Sequence, residues 1–282
     1  MLGVRSRYPE RVTSRPVTYL DRIVDAHRES KGADPRSIDD LRSQALSVKT
    51  PTRGFARALQ EPGLSVIAEI KRRSPSKGPL HADLNAREVA RQYEAGGAAC
   101  LSVLTDVDHF GGSIADLQMA RAAVALPVIR KDFTVDVRDV FDARLMGADC
   151  VLLIAAVLSN NELQEFHDAA LMVGLDVLVE IHDEGELARA LTVGATLIGV
   201  NQRDLHTFKV DQERAVRVAE AMPKHVLRVA ESGVRGPADA AVLAEAGFHA
   251  VLVGESLVTS ADPSAATRAL REARSPSQQV RA

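Results

Sequence analysis

Eight short runs of β-branched and aliphatic residues recur at nearly even intervals, and they constrain the fold more than any other feature of the sequence. Longer segments with helical spacing and a polar face connect them. The eight runs extend over about 190 residues and start on average about 26 residues apart, close to the length of one strand, one helix and two short loops. The runs are Ser65–Ile70, Ala99–Leu104, Pro127–Lys131, Cys150–Ile154, Asp176–Ile181, Leu197–Val200, Val226–Ala230 and Ala250–Val253.

The connecting segments end on glycine, which adopts the left-handed C-cap of a helix at no steric cost. This pattern predicts one α/β domain, a single (β/α)8 TIM barrel over residues 61–274. A doubly wound sheet would also alternate strands and helices, but no G-x-G-x-x-G motif follows the first run. The segments in question are Arg87–Gly96, Asp136–Gly147, Glu162–Gly174, Glu184–Gly194 and Pro237–Gly247.

Residues 1–60 stand outside this repeat and form a predicted N-terminal helical extension. Apolar residues at helical spacing predict a first helix over Thr18–Arg28, and a serine N-cap predicts a second over Ser37–Leu46. We expect the extension to cover the bottom or the side of the barrel. The polar composition of residues 275–282 predicts a disordered tail.

Composition excludes several classes of protein. The chain has 282 residues, with 35 basic and 38 acidic side chains and a net charge of −3, so we expect no nucleic-acid partner. Its two cysteines cannot form a disulfide framework. No apolar run approaches the roughly 20 residues of a membrane span, and the first residues lack the apolar core of a signal peptide. We therefore expect a cytoplasmic protein without membrane contact.

Polar side chains close five of the apolar runs, where the strands of a barrel carry functional residues. Strand alternation directs Glu69 and Lys71 into the barrel, and the same count directs Glu180 and Glu231 inward. A carboxylate inside an apolar barrel is costly unless it is paired, and lysines of neighbouring strands are the nearest partners. The polar residues at these ends are Glu69, Lys71, Lys131, Asp132, Glu180, Asn201, Arg203, Glu231 and Ser232.

Glycine-rich loops follow the seventh and eighth runs, the two places where barrels often bind phosphate. Gly233 and Gly254 permit close backbone approach there, and Ser74 in the first loop adds a hydroxyl donor. Together these residues predict a phosphorylated ligand.

The motifs together resemble the indole-3-glycerol-phosphate synthase family along nearly the whole chain. The resemblance rests on IAEIKRRSPSKG at 67–78, SVLTDVDHFGGS at 102–113, RKDF at 130–133, GVNQRDL at 199–205 and VAESGVRG at 229–236. It implies a carbon–carbon lyase that converts 1-(2-carboxyphenylamino)-1-deoxyribulose 5-phosphate into indole-3-glycerol phosphate, CO2 and water. The family uses neither an organic cofactor nor a metal, so neither is expected here.

The resemblance also implies roles for individual residues. Lys131 would be the general acid at the ketone oxygen, and Lys71 an acid or an electrostatic group near the phosphate. Glu69 and Glu180 would move protons during decarboxylation and dehydration, and Asn201 would orient the anthranilate side. The remaining implied substrate contacts are Ser74, Phe110, Phe133, Leu152, Arg203, Leu205, Glu231 and Ser232, with Ser74, Gly233, Gly254 and the backbone amide of Glu255 at the phosphate.

Two departures from the family pattern are Glu255, where some relatives have a small hydroxyl residue, and Gln202, where asparagine is common. We expect Gln202 to lie on the surface. The scattered histidines lack metal-site spacing and the cysteines are expected to be buried, so no metal site is predicted. We expect a monomer. A Schiff-base aldolase, a sugar-phosphate isomerase and a non-catalytic metabolite-binding barrel remain alternative functions.

Overall fold

Eight parallel strands close into a barrel in the computed structural model, which describes residues 18–75, 77–203 and 210–273. Each strand pairs with the next along the chain, and the first pairs with the last, Ser65 opposite Ala250, to complete the circle. The predicted (β/α)8 fold is therefore confirmed. The strands are β1 Ser65–Ile70, β2 Cys100–Leu104, β3 Val128–Lys131, β4 Cys150–Ile154, β5 Asp176–Ile181, β6 Leu197–Asn201, β7 Leu227–Glu231 and β8 Ala250–Val253.

Helices surround the barrel and precede it along the chain. The three before the barrel are α1 Tyr19–Gly32, α2 Ile38–Ser47 and α3 Phe55–Ala58. Those that follow barrel strands are α4 Ala86–Ala95, α5 Ile114–Ala123, α6 Val137–Met146, α7 Asn160–Met172, α8 Glu184–Thr192, α9 Gln212–Ala221, α10 Pro237–Glu245, α11 Glu255–Val258 and α12 Pro263–Arg271.

The predicted caps explain where helices begin and end. Ser37 caps α2 by accepting a hydrogen bond from the backbone of Asp40, as predicted. Most of the glycines predicted to end helices have positive φ, for example 92° at Gly147. Gly96 is the exception, since its φ is −77° and the left-handed position falls on Gly97.

Two apolar layers form because successive strand residues face opposite sides of the barrel. Val66 and Ala68 belong to the layer between strands and helices, whereas Ile67 lies in the barrel interior with Leu178. This is the predicted alternation. Both cysteines lie in the interior layer and are free thiols, and burial raises the pKa of each well above its usual value.

The extension covers both ends of the barrel rather than only its bottom or side. Phe55 of α3 is fully buried among interior residues near the strand starts, where its carbonyl oxygen accepts a hydrogen bond from Cys100. In contrast, α1 lies at the opposite end, since Tyr19 and Ile23 line a cavity beside the strand ends. The expectation was thus right for α3 and wrong for α1.

Polar contacts hold α1 against the barrel. Arg28 contacts Glu162 of α7 at 2.7 Å, and Lys31 contacts Asp139 of α6 at 2.8 Å. These charged contacts add to the buried apolar residues Ile23 and Val24 of α1, and sequence periodicity does not reveal them. No described helix is long and apolar enough to cross a membrane. The predicted tail, residues 275–282, lies outside the described residues.

Candidate active site

A cavity of about 1050 Å³ opens at the carboxyl ends of the strands. This is the end at which barrel enzymes carry their active sites. The fold brings most of the predicted site residues into its wall. Those lining it are Glu69, Lys71, Ser74, Phe110, Lys131, Phe133, Glu180, Asn201, Arg203, Glu231, Ser232, Gly233, Gly254 and Glu255.

Two lysines meet three buried carboxylates at the centre of the cavity. Lys71 pairs with Glu69, and Ser102 donates a hydrogen bond to Glu69 at 3.4 Å. The Nζ atom of Lys131 lies 3.6 Å from Oε2 of Glu180 and 4.0 Å from Oε2 of Glu231. Each carboxylate is at most 4 % exposed, so the lysines supply the charge compensation that water would otherwise provide.

Burial and neighbouring charges separate the pKa values of these groups. Burial alone would lower the pKa of Lys131, but Glu180, Glu231 and Glu69 outweigh it and raise the pKa above its usual value. Burial opposes ionisation of Glu69 and Glu180, yet the nearby lysines dominate and lower both pKa values. For Glu231, burial and the adjacent Glu180 charge raise the pKa well above its usual value.

The site therefore combines one amine of raised pKa, two carboxyl groups of lowered pKa and one carboxyl group of raised pKa. Counting Lys71, Lys131 and Arg203 with these groups leaves one net positive charge when Glu231 is neutral. Groups whose environments push their pKa values apart are the usual basis of acid–base catalysis.

Glu180 is oriented by two neighbours. Asn201 Nδ2 donates a hydrogen bond to Glu180 Oε1 at 3.0 Å, and His182 Nε2 lies 3.8 Å from the same oxygen. His182 is in turn fixed by Glu186, whose carboxylate accepts a hydrogen bond from the His182 backbone at 2.8 Å. Glu180 Oε2 makes no hydrogen bond of ordinary length in the described part of the chain, and Lys131 Nζ at 3.6 Å compensates its charge.

Two glycines make room for the charged centre. A Cβ atom at residue 199 would overlap the carboxylate of Glu231 on the neighbouring strand, and one at residue 254 would overlap that of Glu69. Gly199 and Gly254 therefore allow the two glutamates to point inward. In the case of Gly254, this packing role exists besides the phosphate contact predicted from the sequence.

Aromatic rings form one wall of the cavity. Phe110 and Phe133 lie with ring centroids 6.4 Å apart, as expected for residues that contact an aromatic ligand. Leu152, implied as a contact of the aromatic ring, is 1 % exposed inside the barrel and does not line the cavity. Ile154 takes that place, because it lies on the same strand face two residues nearer the carboxyl end.

Sequence reasoning missed the contribution of α1 to this wall. Tyr19, Leu20 and Ile23 line the cavity, and their helical spacing was visible, but nothing in the sequence indicated the end of the barrel on which they pack. Leu205, also predicted at the aromatic ring, lies outside the described residues.

The residues predicted to bind phosphate also line the cavity. The Ser74 hydroxyl is buried and makes no hydrogen bond within the described ranges, so it is available to a ligand. Ser232 has a φ of 65°, a conformation that is rare for a residue with a side chain and that clusters at functional sites. The Glu255 carboxylate lies 3.4 Å from Lys77 Nζ, leaving the backbone amide as the predicted contact.

Gln202 is fully buried, so the expectation of a surface position was wrong. Its Nε2 donates a hydrogen bond to the carbonyl oxygen of Ser232 at 2.9 Å. Its backbone N–H also donates to the Glu231 carbonyl oxygen at 3.0 Å. Gln202 thus supports the strained turn between Glu231 and Gly233. In the sequence, only its position between the predicted site residues Asn201 and Arg203 indicated such a role.

The fold also brings together three potential metal ligands at the edge of this site, where the sequence predicted none. They are His27 of α1 and Asp106 and His109 of the loop after β2. Sequence spacing could not reveal this cluster, because His27 is 79 residues from Asp106.

Comparisons with known proteins agree with this geometry. The family model described as indole-3-glycerol phosphate synthase matches residues 20–270. The chain belongs to the indole-3-glycerol phosphate synthase family. Among relatives of that name, one from Acinetobacter baumannii is 47 % identical over 90 % of this chain and 95 % of its own. "Indole-3-glycerol phosphate synthase 1" from Streptomyces coelicolor is 48 % identical over 89 % of this chain and 93 % of its own.

Solved structures of more distant barrels support only the fold of this chain. A thiamine phosphate pyrophosphorylase from Pyrococcus furiosus superposes with a TM-score of 0.57 at 18 % identity, covering 74 % of this chain and 94 % of its own. An N-acetylmannosamine-6-phosphate 2-epimerase from Clostridium perfringens gives 0.56 at 15 % identity, covering 70 % and 89 %.

Proposed function

We propose that the chain catalyses the ring closure of 1-(2-carboxyphenylamino)-1-deoxyribulose 5-phosphate to indole-3-glycerol phosphate, with release of CO2 and water. The observation that carries this proposal is the contact of Lys131 with Glu180 and Glu231 inside the cavity. Family membership supports the same reaction. In chemical terms it is a carbon–carbon lyase reaction that needs acids and bases and no redox partner.

The two walls of the cavity fit the two ends of this substrate. The aniline ring would lie against Phe110 and Phe133, and its carboxylate would face Arg203, whose guanidinium suits a carboxylate. The phosphate would take hydrogen bonds from the Ser74 hydroxyl and from the backbone of the turn at Gly233. The cationic side chains Lys71, Lys131 and Arg203 in the cavity wall favour a substrate that carries both anionic groups.

Lys131 supplies the proton for the first step. The ring carbon that bears the carboxylate forms a bond to the ketone carbon, while the ketone oxygen takes a proton from the Lys131 ammonium group. The carboxylates around Lys131 keep it protonated at neutral pH, which is the form that a general acid requires. The same carboxylates stabilise the iminium charge that develops on the aniline nitrogen.

Loss of CO2 and loss of water complete the reaction. When the bond to the carboxylate carbon breaks, its electron pair returns to the ring and neutralises the iminium nitrogen. The electron pair of that nitrogen, acting through the ring, then expels the new hydroxyl group, which takes up a proton and leaves as water. The carbon between the nitrogen and the former ketone carbon gives up a proton, and the indole is formed. Glu69 and Glu180 are the proposed carriers of these protons, with neutral Glu231 as a further donor beside them.

The principal rival, a Schiff-base aldolase, needs a lysine that can lose its proton and attack a carbonyl. The environment of Lys131 does the opposite, because it raises the pKa of the amine. Treatment with borohydride in the presence of substrate separates the two chemistries. A stable adduct on Lys131 or Lys71 would contradict the acid–base mechanism.

The direct test of the proposal is to mix purified protein with the carboxyphenylamino substrate and follow the fluorescence of the indole product. Turnover supports the proposal, whereas tight binding without product would indicate a metabolite-binding barrel. We also propose that the protein acts in the cytoplasm as a monomer. Sedimentation of the active protein as a dimer would contradict the second point.

A further inference from the structure

Two imidazoles and one carboxylate converge where α1 meets the loop after β2. His27 Nε2 lies 2.9 Å from Asp106 Oδ2, and His109 Nδ1 lies 3.1 Å from the same oxygen. The three ligand atoms all lie within 4.8 Å of one another. Tetrahedral zinc holds nitrogen and oxygen ligands at about 2.0–2.2 Å, which separates them from one another by about 3.4 Å. Small side-chain adjustments would therefore bring all three onto one ion.

The carboxylate of this cluster is held in place before any ion arrives. Asp106 Oδ1 accepts hydrogen bonds from the backbone N–H groups of His109 at 2.6 Å and Phe110 at 3.1 Å. The residue is only 4 % exposed, so these bonds fix Oδ2 toward the two imidazoles. Backbone donors that orient a carboxylate ligand in this way are typical of the surroundings of metal sites.

Charge and access also suit a cation. Asp106 is the carboxylate that contacts both rings; Asp132 and Asp139 also act on His27, while Arg130 and Lys31 pair with them. The side chains of His27 and His109 are each 24 % exposed, so an ion and the water that completes its coordination can enter from solvent. Imidazole with carboxylate is a ligand set that zinc and related transition metals accept.

We propose that His27, Asp106 and His109 form a binding site for one divalent transition-metal ion of the zinc class. The ion replaces the protons now shared between the carboxylate and the two rings. The site is separate from the proposed chemistry, which needs no metal. Because His27 belongs to α1 and the other two ligands to the barrel, the ion links the helix that lines the cavity to the loop that carries Phe110.

The site is tested by titrating the full-length, chelator-treated protein with Zn²⁺ by calorimetry and with Co²⁺ by visible absorption. We expect one ion per chain, and at least tenfold weaker binding in His27→Gln and in His109→Gln. His225→Gln is the matched control, since this exposed histidine lies just before β7 at the opposite end of the barrel, and it should bind as the wild type does.

Three results would overturn the proposal: no ion bound by the wild type at 100 μM metal, binding unchanged in both ligand variants, or binding equally reduced in the control. Because a variant can fail to fold, anomalous scattering at the zinc edge from zinc-soaked wild-type crystals provides a second test. A peak between the three side chains supports the site, and a peak only elsewhere contradicts it. None of these measurements depends on turnover.

Discussion

Replacing Lys131 with methionine removes the proposed general acid while keeping the length of the side chain. Loss of a positioned acid typically lowers the rate by about 10²–10⁴-fold, which corresponds to about 3–5 kcal/mol in the activation barrier. The variant also loses the cation 3.6 Å from Glu180. At that range the lost attraction is about 4.6 kcal/mol for an effective dielectric constant of 20. Glu180 should therefore take up a proton, and its role as a base should also be lost.

The two effects act on the chemical step, so kcat should fall by at least 10³-fold while KM changes less than tenfold. Single-turnover product fluorescence measures the chemical step directly, and thermal unfolding checks that the variant is folded. Lys224→Met is the matched control, because this exposed lysine lies near the amino end of β7. A Lys131→Met protein with kcat within threefold of wild type would refute the assignment of Lys131 as the acid.

Three further predictions concern groups around the site and α1. Burial and Glu180 raise the pKa of Glu231, so the free energy of unfolding of the wild type should fall as pH rises above about 4.5. Glu231→Gln should remove this slope and stabilise the fold at pH 7 by about 1–2 kcal/mol, as measured by denaturant titration. Gln202→Leu deletes the hydrogen bond to Ser232 and should raise KM about fivefold, which is about 1 kcal/mol, at similar kcat. An unchanged KM would exclude a positioning role. The hydrogen bond from Arg28 lowers the pKa of Glu162 to about 2, so this pair stabilises the fold above pH 4.5 and the stabilisation is lost toward pH 2. Glu162→Gln should therefore lower the free energy of unfolding by at most about 1 kcal/mol at pH 7 and leave it unchanged at pH 2.

The barrel could be predicted because its signals are local. Each strand is a continuous apolar run, and the helices between strands end near glycine, so both strand positions and order follow from neighbouring residues. Alternation along β1 then placed Glu69 inside the barrel and Ala68 outside it. The charged residues at the strand ends could be predicted from the same two-residue alternation of side chains along a strand, which requires no knowledge of distant contacts.

What escaped prediction depends on contacts between distant parts of the chain. The position of α1 over the cavity rests on ion pairs such as Arg28 with Glu162, 134 residues apart. The meeting of His27 with Asp106 has the same origin. Leu152 was implied by the family resemblance and not by the strand count, and it lies in the middle of β4, deeper in the barrel than the cavity wall. Gln202 escaped prediction because a polar residue directly after a strand is ordinarily exposed, whereas its side chain contacts Ser232, 30 residues away.

The most direct measurement of the proposed reaction follows the substrate carboxylate itself. With substrate labelled at that carbon and purified protein in single-turnover conditions, labelled CO2 and indole-3-glycerol phosphate should appear in a one-to-one ratio. The Lys131→Met variant should release neither at a comparable rate. Substrate that binds tightly but keeps its label, or a product formed without loss of labelled CO2, would contradict decarboxylating ring closure in this cavity.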